Sequence, residues 1–298
     1  MTFVPKLPKK VQYLTTSDLS YIPTLCQKTA VEQFLGGRPG YDREFLFMLL
    51  LVKKVNNWSF RTVAEIGGIS HSTLVRANSF FLQKHIYEKV FIHLVKKAYK
   101  KGLIKGKYVA MDSSFVKTFS KKQEIGSEGY NGHKKGFGFK LHLLIDAQTK
   151  FPLALIIGNG IAHDGTLAIP LLKKARYWLK RCGYVLADKG YDDGDIVNWI
   201  VKRLHAKAGI PIRKKSKLAK GKKNRYGNLL NWQLKAKGRT FKKSIYNKRT
   251  AVERCYSTLK RTYHLGKEEM RGFLSFAKNC YLSLISYMLW LFYIAKSN

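Results

Sequence analysis

The order of strand-like and helix-like segments between residues 107 and 212 most constrains the fold of this chain. Five segments are buried in character or alternate apolar with polar residues, as β-strands do: 107–115, 137–146, 151–157, 184–187 and 209–212. The pattern predicts amphipathic helices at 166–180 and 193–204. Because three hairpin-connected strands precede the alternating helices and strands, we expect an α/β fold with a mixed sheet flanked by helices.

Helical periodicity begins near Tyr41, and Asp42 is a suitable N-cap for a helix at 41–56. Residues 59–82 predict a short helix at 60–66, a glycine turn and a second helix capped by Ser70, which is the layout of a helix-turn-helix. The residues nearest to DNA bases would then be His71, Ser72, Thr73 and Arg76. Plain structural packing of the two helices is the alternative.

The net charge restricts the class of partner. Lys and Arg number 56 against 18 Asp and Glu, which gives a formal charge of +38. Hydrophobic residues make up 45% of the chain, so it is expected to fold despite this charge. A polyanion such as nucleic acid would neutralise the repulsion, whereas a halo of solvated lysines is the weaker interpretation.

Residues 213–243 contain thirteen Lys or Arg and no acid. We interpret this stretch as a basic insertion that follows a phosphate backbone, with a solvated loop as the alternative. The residues predicted to contact DNA there are Lys214, Lys215, Lys222, Lys223 and Arg225.

The cysteines and one apolar segment bear on where in the cell the protein is expected. The four cysteines are far apart and form no CxxC pair, which disfavours a zinc site and suggests a reducing cytoplasm. The apolar segment 280–295 is shorter than the roughly 20 residues that span a bilayer. We expect a buried C-terminal helix, with a membrane anchor as the alternative.

Acidic residues are scarce, so their positions are informative. Asp112 lies within an apolar strand, and Asp188 follows the strand at 184–187. Carboxylates at the ends of neighbouring strands can point at one spot, and hard cations such as Mg²⁺ prefer oxygen ligands. Each aspartate taken alone is equally well explained as the cap of a turn.

Glu253 adds a third acid. At 100° per residue, Tyr246, Arg249, Glu253 and Lys260 fall within an arc of about 60° on a helix. One face of that helix would present an acid among cations, and the opposite face would pack on the sheet. An ordinary helical ion pair between Arg249 and Glu253 is the competing interpretation.

The pattern Tyr-x2-Arg-x3-Glu-x6-Lys, which these four residues complete, resembles the signature of prokaryotic insertion-sequence transposases of the DDE type. Asp188-Lys-Gly-Tyr191 resembles the motif around their second aspartate, and Met111-Asp112-Ser-Ser resembles the strand of their first. The resemblance covers roughly residues 40–295. It implies an RNase H-like catalytic domain, in agreement with the strand order derived above.

The resemblance also implies a mechanism. Asp112, Asp188 and Glu253 would be catalytic and would hold two Mg²⁺ ions, for which Mn²⁺ can substitute; Asp112 would bridge the two ions. Water would free a 3′-OH at the element end, and that 3′-OH would attack target DNA. Arg249 and Lys260 would bind phosphates, and Tyr246 would contact the terminal DNA. Residues near the site would be His163, Asp164 and Tyr191.

The implied partners are double-stranded DNA, both the terminal inverted repeats and the target, and a second copy of the chain in a homodimer on DNA. No membrane partner is expected, and the location would be the cytoplasm of a prokaryote, with the nucleoid. We predict a helical DNA-binding region at 1–100 and the catalytic domain at 101–298. Three alternatives stay open: an RNase H-like nuclease that cuts without joining, a domesticated regulator that only binds DNA, and a basic membrane protein.

Overall fold

The computed structural model describes residues 12–15, 19–26, 41–118, 130–212, 242–266 and 271–297. They divide into two compact units. The helical unit comprises the described residues of Met1–Lys97 and Thr258–Asn298, and the sheet unit is Ala98–Ser257. The predicted domain limits differ from this division at the C-terminal end, where the last helix packs with the N-terminal helices.

The helical unit has the N-terminal helices that the sequence predicted. Helices with residues in this unit are α1 (Gln12–Thr15), α2 (Ile22–Leu25), α3 (Arg43–Asn56), α4 (Phe60–Ile66), α5 (His71–Gln83), α6 (Ile86–Lys100) and α11 (Gly272–Ser297). The side chain of Asp42 caps α3 by accepting a hydrogen bond from the backbone N–H of Glu44. Apolar side chains from α3, α5 and α11 pack together and form the core of this unit.

The predicted helix-turn-helix is present as α4 and α5. Ser59 caps α4, and Ser70 caps α5 by accepting from the backbone N–H of Thr73. The turn between them needs glycine for two reasons. Gly68 has a positive φ of 61°, and a Cβ on Gly67 would lie 2.7 Å from the Cδ1 of Leu49.

The sheet unit contains a five-stranded mixed sheet in the order β3-β2-β1-β4-β5. The strands are β1 (Tyr108–Lys117), β2 (Gly138–Asp146), β3 (Pro152–Asn159), β4 (Tyr184–Leu186) and β5 (Lys207–Gly209). The first three strands are antiparallel neighbours, and β4 and β5 continue the sheet in parallel with β1. This confirms the predicted mixed sheet, which has the strand arrangement expected of an RNase H-like fold.

Helices of the sheet unit are α7 (Asp164–Ala175), α8 (Gly194–Leu204), α9 (Lys243–Tyr246) and α10 (Thr250–Arg261), the last of which continues into the helical unit. Helix α7 packs on β2 and β3, and α8 packs on β5. The structure shifts several predicted bounds. Helix α7 ends at Ala175 and gives way to a 3₁₀ turn, β5 begins at Lys207 rather than 209, and a 3₁₀ turn at Asn247–Arg249 interrupts the predicted continuous helix 246–260.

Asp146, at the end of β2, holds two neighbouring loops together. Its buried carboxylate accepts four backbone N–H bonds, from Lys105, Gly106, Gln148 and Thr149, at 2.7–3.1 Å. These bonds join the entry to β1 with the turn after β2. The carboxylate contributes strongly to stability, because each buried donor left without a partner would cost about 1–3 kcal/mol.

The apolar C-terminal segment forms part of α11, a helix of 26 residues whose side chains are mostly buried. Within the part of the chain that the structure describes, no helix is long and apolar enough to cross a membrane. Most of the predicted basic insertion, residues 213–241, lies outside the described residues.

Candidate active site

The parallel register of β1 and β4 places the first two acids side by side. Ala110 is paired with Leu186, so Asp112 and Asp188 occupy equivalent positions two residues further along each chain. Side chains alternate along a strand with a period of two. The sheet therefore brings together the two aspartates that the sequence singled out.

Asp112 lies in an environment that disfavours its charge. Burial, together with the nearby charges of Asp188 and Asp164, raises the pKa of its carboxyl from 3.8 to about 6, although a hydrogen bond from the backbone N–H of Ser113 and the charge of Arg249 oppose the rise. The Ser113 N–H lies 2.8 Å from Asp112 Oδ1. A bound cation would reverse this balance, because it would stabilise the ionised form.

Asp188 also performs the capping role that the sequence left open. It precedes a 3₁₀ turn, Lys189–Tyr191, and its Oδ1 accepts from the backbone N–H of Gly190 at 2.6 Å. A Cβ at position 190 would lie 2.7 Å from that same oxygen, so the glycine of the motif is required for the close approach. Capping fixes the carboxylate and does not exclude a second role for its other oxygen.

Glu253, the third acid, is paired with an arginine. Glu253 forms an ion pair with Arg249, with 2.7 Å between Oε1 and Nη2, and its side chain is 48% exposed. The guanidinium lies 5.5 Å from the ring centroid of Tyr246 and acts electrostatically on Asp112. The structure thus brings Tyr246, Arg249 and Glu253 together, and it contains the ion pair that was the competing interpretation. Lys260 lies seven residues after Glu253 on α10.

Sequence reasoning missed Tyr256, which joins the glutamate helix to the sheet. Its hydroxyl lies 2.6 Å from the backbone oxygen of Leu141 on β2 and 3.0 Å from that of Asp112 on β1, and the side chain is buried. The one hydroxyl proton is therefore shared between two carbonyl groups. Tyr256 is three residues from Glu253, so this contact sets where the glutamate lies along β1.

Asp164 begins α7 and is linked by hydrogen bonds to both β1 and β2. Its Oδ1 accepts from the hydroxyl of Ser113 at 2.8 Å and from Lys140 Nζ at 3.0 Å. His163 occupies the N-cap position of α7 but makes no side-chain capping bond. Tyr191 is buried, and burial together with the charges of the nearby aspartates raises its pKa. Asp164 is therefore linked directly to Ser113, on the strand of Asp112.

The donor set of Asp112 and Asp188 is suited to a hard divalent cation. Two adjacent carboxylates, one of them with a raised pKa, supply oxygen ligands in a place where a positive charge is favoured. Over the described residues, no group of three or more His, Cys, Asp or Glu side chains is gathered closely enough to hold a metal ion. Glu253 is thus turned toward Arg249 and does not complete a cluster with the two aspartates.

The residues predicted to contact bases lie on one exposed surface of α5. His71, Ser72 and Arg76 are exposed and Thr73 is half-buried. The His71 ring packs edge-on against Phe60 of α4, and the Nε of Arg76 donates to the backbone oxygen of Ser72 at 3.3 Å. This surface is accessible to a ligand. The predicted contacts in the basic stretch (Lys214, Lys215, Lys222, Lys223 and Arg225) lie outside the described residues.

Comparison with known proteins identifies a family and solved transposase structures, among them one of similar fold. The model of the "Transposase DDE domain" family matches residues 105–289, which is more than half of the chain. No curated protein matches the sequence. The chain is similar to the piggyBac transposase in a synaptic complex with hairpin DNA, with a TM-score of 0.50 and 10% identity over 97% of this chain and 74% of that one. A Mos1 transposase paired-end complex with the left transposon end aligns at 11% identity over 93% and 96% of the two chains, with a TM-score of 0.27.

Proposed function

The chain belongs to the transposase DDE domain family, and from this premise we propose that it cuts DNA at the ends of an insertion sequence and joins those ends to target DNA. We propose Asp112, Asp188 and Glu253 as its catalytic residues. The observation that carries the assignment is the parallel register of β1 and β4, which sets Asp112 beside Asp188. The raised pKa of Asp112 supports it, because perturbed carboxyls concentrate at functional sites.

The three acids would hold two Mg²⁺ ions, with Mn²⁺ as a substitute. When bound, such a pair activates the attacking oxygen and stabilises the leaving oxygen of a phosphodiester. Asp112 lies between the other two acids in this scheme, since the sheet places Asp188 beside it and Tyr256 anchors the helix of Glu253 at its backbone. Glu253 has a half-exposed side chain paired with Arg249, and in this scheme it turns toward the aspartates when the ions bind.

Arg249, Tyr246 and Lys260 would bind the DNA next to the cut. If Glu253 turns toward the aspartates, the guanidinium of Arg249 becomes available for a phosphate, to which it can make two parallel hydrogen bonds. The Tyr246 ring lies against that guanidinium and limits the directions in which it can point. This arrangement supports a role for Arg249 in holding the scissile strand.

Sequence recognition is assigned to α5, where the exposed His71, Ser72 and Arg76, together with Thr73, would read the terminal inverted repeats in the major groove. The formal charge of +38 supports a broad phosphate contact that includes the basic stretch 213–243. We also propose that the protein acts as a homodimer on DNA, since two element ends must be joined, and that it works in the prokaryotic cytoplasm, with the nucleoid.

The test uses duplex DNA that carries the element ends. Asp112→Asn, Asp188→Asn and Glu253→Gln should each reduce Mg²⁺-dependent cleavage to background and leave DNA binding nearly unchanged. Asp193→Asn is the matched control, because Asp193 is an exposed acid that caps α8 and Asn caps equally well. Normal cleavage by any one of the three variants would remove that residue from the proposed set.

The products separate the remaining functions. Joined molecules in which an element end is attached to target DNA support transposition. Free 3′-OH ends without joined molecules would identify a nuclease, and binding without any cleavage by the unmodified protein would identify a DNA-binding regulator.

A further inference from the structure

A short chain of hydrogen bonds links the carboxylate of Asp112 to a lysine on the next strand. The backbone N–H of Ser113 donates to Asp112 Oδ1, and the Ser113 hydroxyl donates to Asp164 Oδ1, each at 2.8 Å. Lys140 donates to the same Asp164 oxygen at 3.0 Å and to the backbone oxygen of Ala162 at 2.7 Å. One serine therefore contacts the carboxylate at the proposed site and a second acid behind it.

The Lys140–Asp164 ion pair is well sheltered from solvent. The side chain of Lys140 is 15% exposed and that of Asp164 is 29% exposed. Interactions between charges strengthen as water is excluded, so this pair contributes more than an exposed one. On β2, His142 lies opposite Ser113 and is almost fully buried, and burial lowers its pKa to about 4. His142 is thus neutral at physiological pH, and Lys140 supplies the positive charge next to Asp164.

Lys140 compensates the negative charge of Asp164. Its negative charge acts on Asp112, in addition to that of Asp188. Without a cation of its own, a third carboxylate beside these two would add to their repulsion or enter the ligand set of a bound metal. The two donors on Oδ1 instead hold Asp164 toward Lys140 and Ser113.

We propose that Lys140 and Asp164 form a positioning pair, in which Lys140, together with Ser113, holds Asp164 out of the metal-ligand set. The inference rests on the proposed function, because it assumes that Asp112 holds a divalent cation. Neither Lys140 nor Asp164 is assigned contact with DNA or with the reacting atoms. Their effect should therefore appear first in metal affinity.

The test is a charge cycle with Mn²⁺ binding as the readout, measured from the electron paramagnetic resonance signal of free Mn²⁺ in the protein without DNA. Lys140→Met leaves the charge of Asp164 uncompensated, so the Mn²⁺ dissociation constant should fall by about tenfold, which corresponds to about 1.4 kcal/mol of added attraction. Asp164→Asn removes a negative charge and leaves that of Lys140, so the constant should rise by a similar factor. The double variant, which restores the balance, should bind Mn²⁺ nearly as the unmodified protein does.

Three controls make the outcome specific. Lys173→Met removes an exposed positive charge from the same helix that Asp164 begins, and it should leave the Mn²⁺ constant unchanged. Ser113→Ala keeps the backbone N–H but removes one of the two donors that hold Asp164, so it should lower the Mn²⁺ dissociation constant by less than Lys140→Met does. Thermal unfolding of each variant shows that it is folded.

Two failures can be distinguished. If Asp112→Asn binds Mn²⁺ as tightly as the unmodified protein, the proposed metal site is wrong and the inference falls with it. If Asp112→Asn abolishes Mn²⁺ binding but Lys140→Met and Asp164→Asn shift the constant in the same direction or not at all, the proposed function stands and the positioning pair is wrong.

Discussion

Replacement of Asp112 by Asn should stabilise the metal-free protein at high pH, although it should abolish catalysis. The pKa of Asp112 is raised to about 6 in the folded protein, above the ordinary value of 3.8. The folded state therefore binds more protons than the unfolded state between these two values, and the stability contributed by the protonated form is lost as pH rises through about 6. Above that pH, folding has to accommodate a buried negative charge that Asn does not carry.

The expected gain in the free energy of unfolding follows from the shift in the pKa of Asp112. A shift of about 2 pKa units corresponds to about 3 kcal/mol at 1.36 kcal/mol per unit. Asp112 is partly exposed, and solvent screening reduces the expected gain to about 1–3 kcal/mol. The hydrogen bond from the Ser113 N–H is retained, since the side-chain oxygen of Asn accepts it equally well.

The assay is urea unfolding in EDTA at pH 8 and at pH 4.5. At pH 8 the free energy of unfolding of Asp112→Asn should exceed that of the unmodified protein by about 1–3 kcal/mol, and the gap should shrink to about a third of this at pH 4.5, which lies between the two pKa values. Asp42→Asn serves as the control, because Asp42 is an exposed cap of α3 and its replacement should give no pH-dependent gap. A variant that is less stable at pH 8, or a gap equal at both pH values, would refute the reasoning.

Two further predictions concern other parts of the molecule. Asp146→Ala should lower the free energy of unfolding by more than about 3 kcal/mol, because four backbone N–H groups lose their acceptor; a loss below about 1 kcal/mol in urea unfolding would show that water replaces the carboxylate. Arg76→Ala should reduce the preference for element-end DNA over random DNA by about 1–3 kcal/mol in competition binding, as for loss of a base contact. An unchanged preference would mean that α4 and α5 serve packing alone.

The sequence predicted those parts of the fold that leave a local or periodic pattern. Alternation of apolar and polar residues revealed the strands, and polar residues before apolar runs located the caps Asp42 and Ser70. The expectation that Asp112 and Asp188 lie close together came from their positions on neighbouring strands, although Asp112 lies in the middle of β1 and not at its end.

The contacts that hold the site together could not be predicted in this way. Tyr256 meets the backbone of Asp112 across 144 residues of sequence, and Lys140 meets Asp164 across 24. Neither pairing has a spacing that distinguishes it from an ordinary buried aromatic residue or an ordinary strand lysine. They depend on how β2, α7 and α10 pack, which is decided by the tertiary structure.

The 3₁₀ turn at Asn247–Arg249 was missed for a related reason. Helical periodicity treats the stretch from 246 to 260 as one helix, yet helix α10 begins at Thr250, whose hydroxyl donates to the backbone oxygen of Asn247 at 2.9 Å. The turn packs against β1. Arg249 is therefore held near Asp112 by the backbone preceding the helix, and not by helical geometry alone.

The four acids near the site differ in what balances their charge, and this difference suggests how they are used. Asp164 and Glu253 each have an ion pair, at 3.0 and 2.7 Å, with Lys140 and Arg249 respectively. The Lys140 pair is sheltered, whereas the side chain of Glu253 is half exposed. Asp112 keeps a raised pKa in spite of Arg249, so the deficit of positive charge is centred on it and its neighbour Asp188. If a divalent cation is held there, Glu253 is the acid that can change partner, and the exchange would release Arg249 for the phosphate of the strand to be cut.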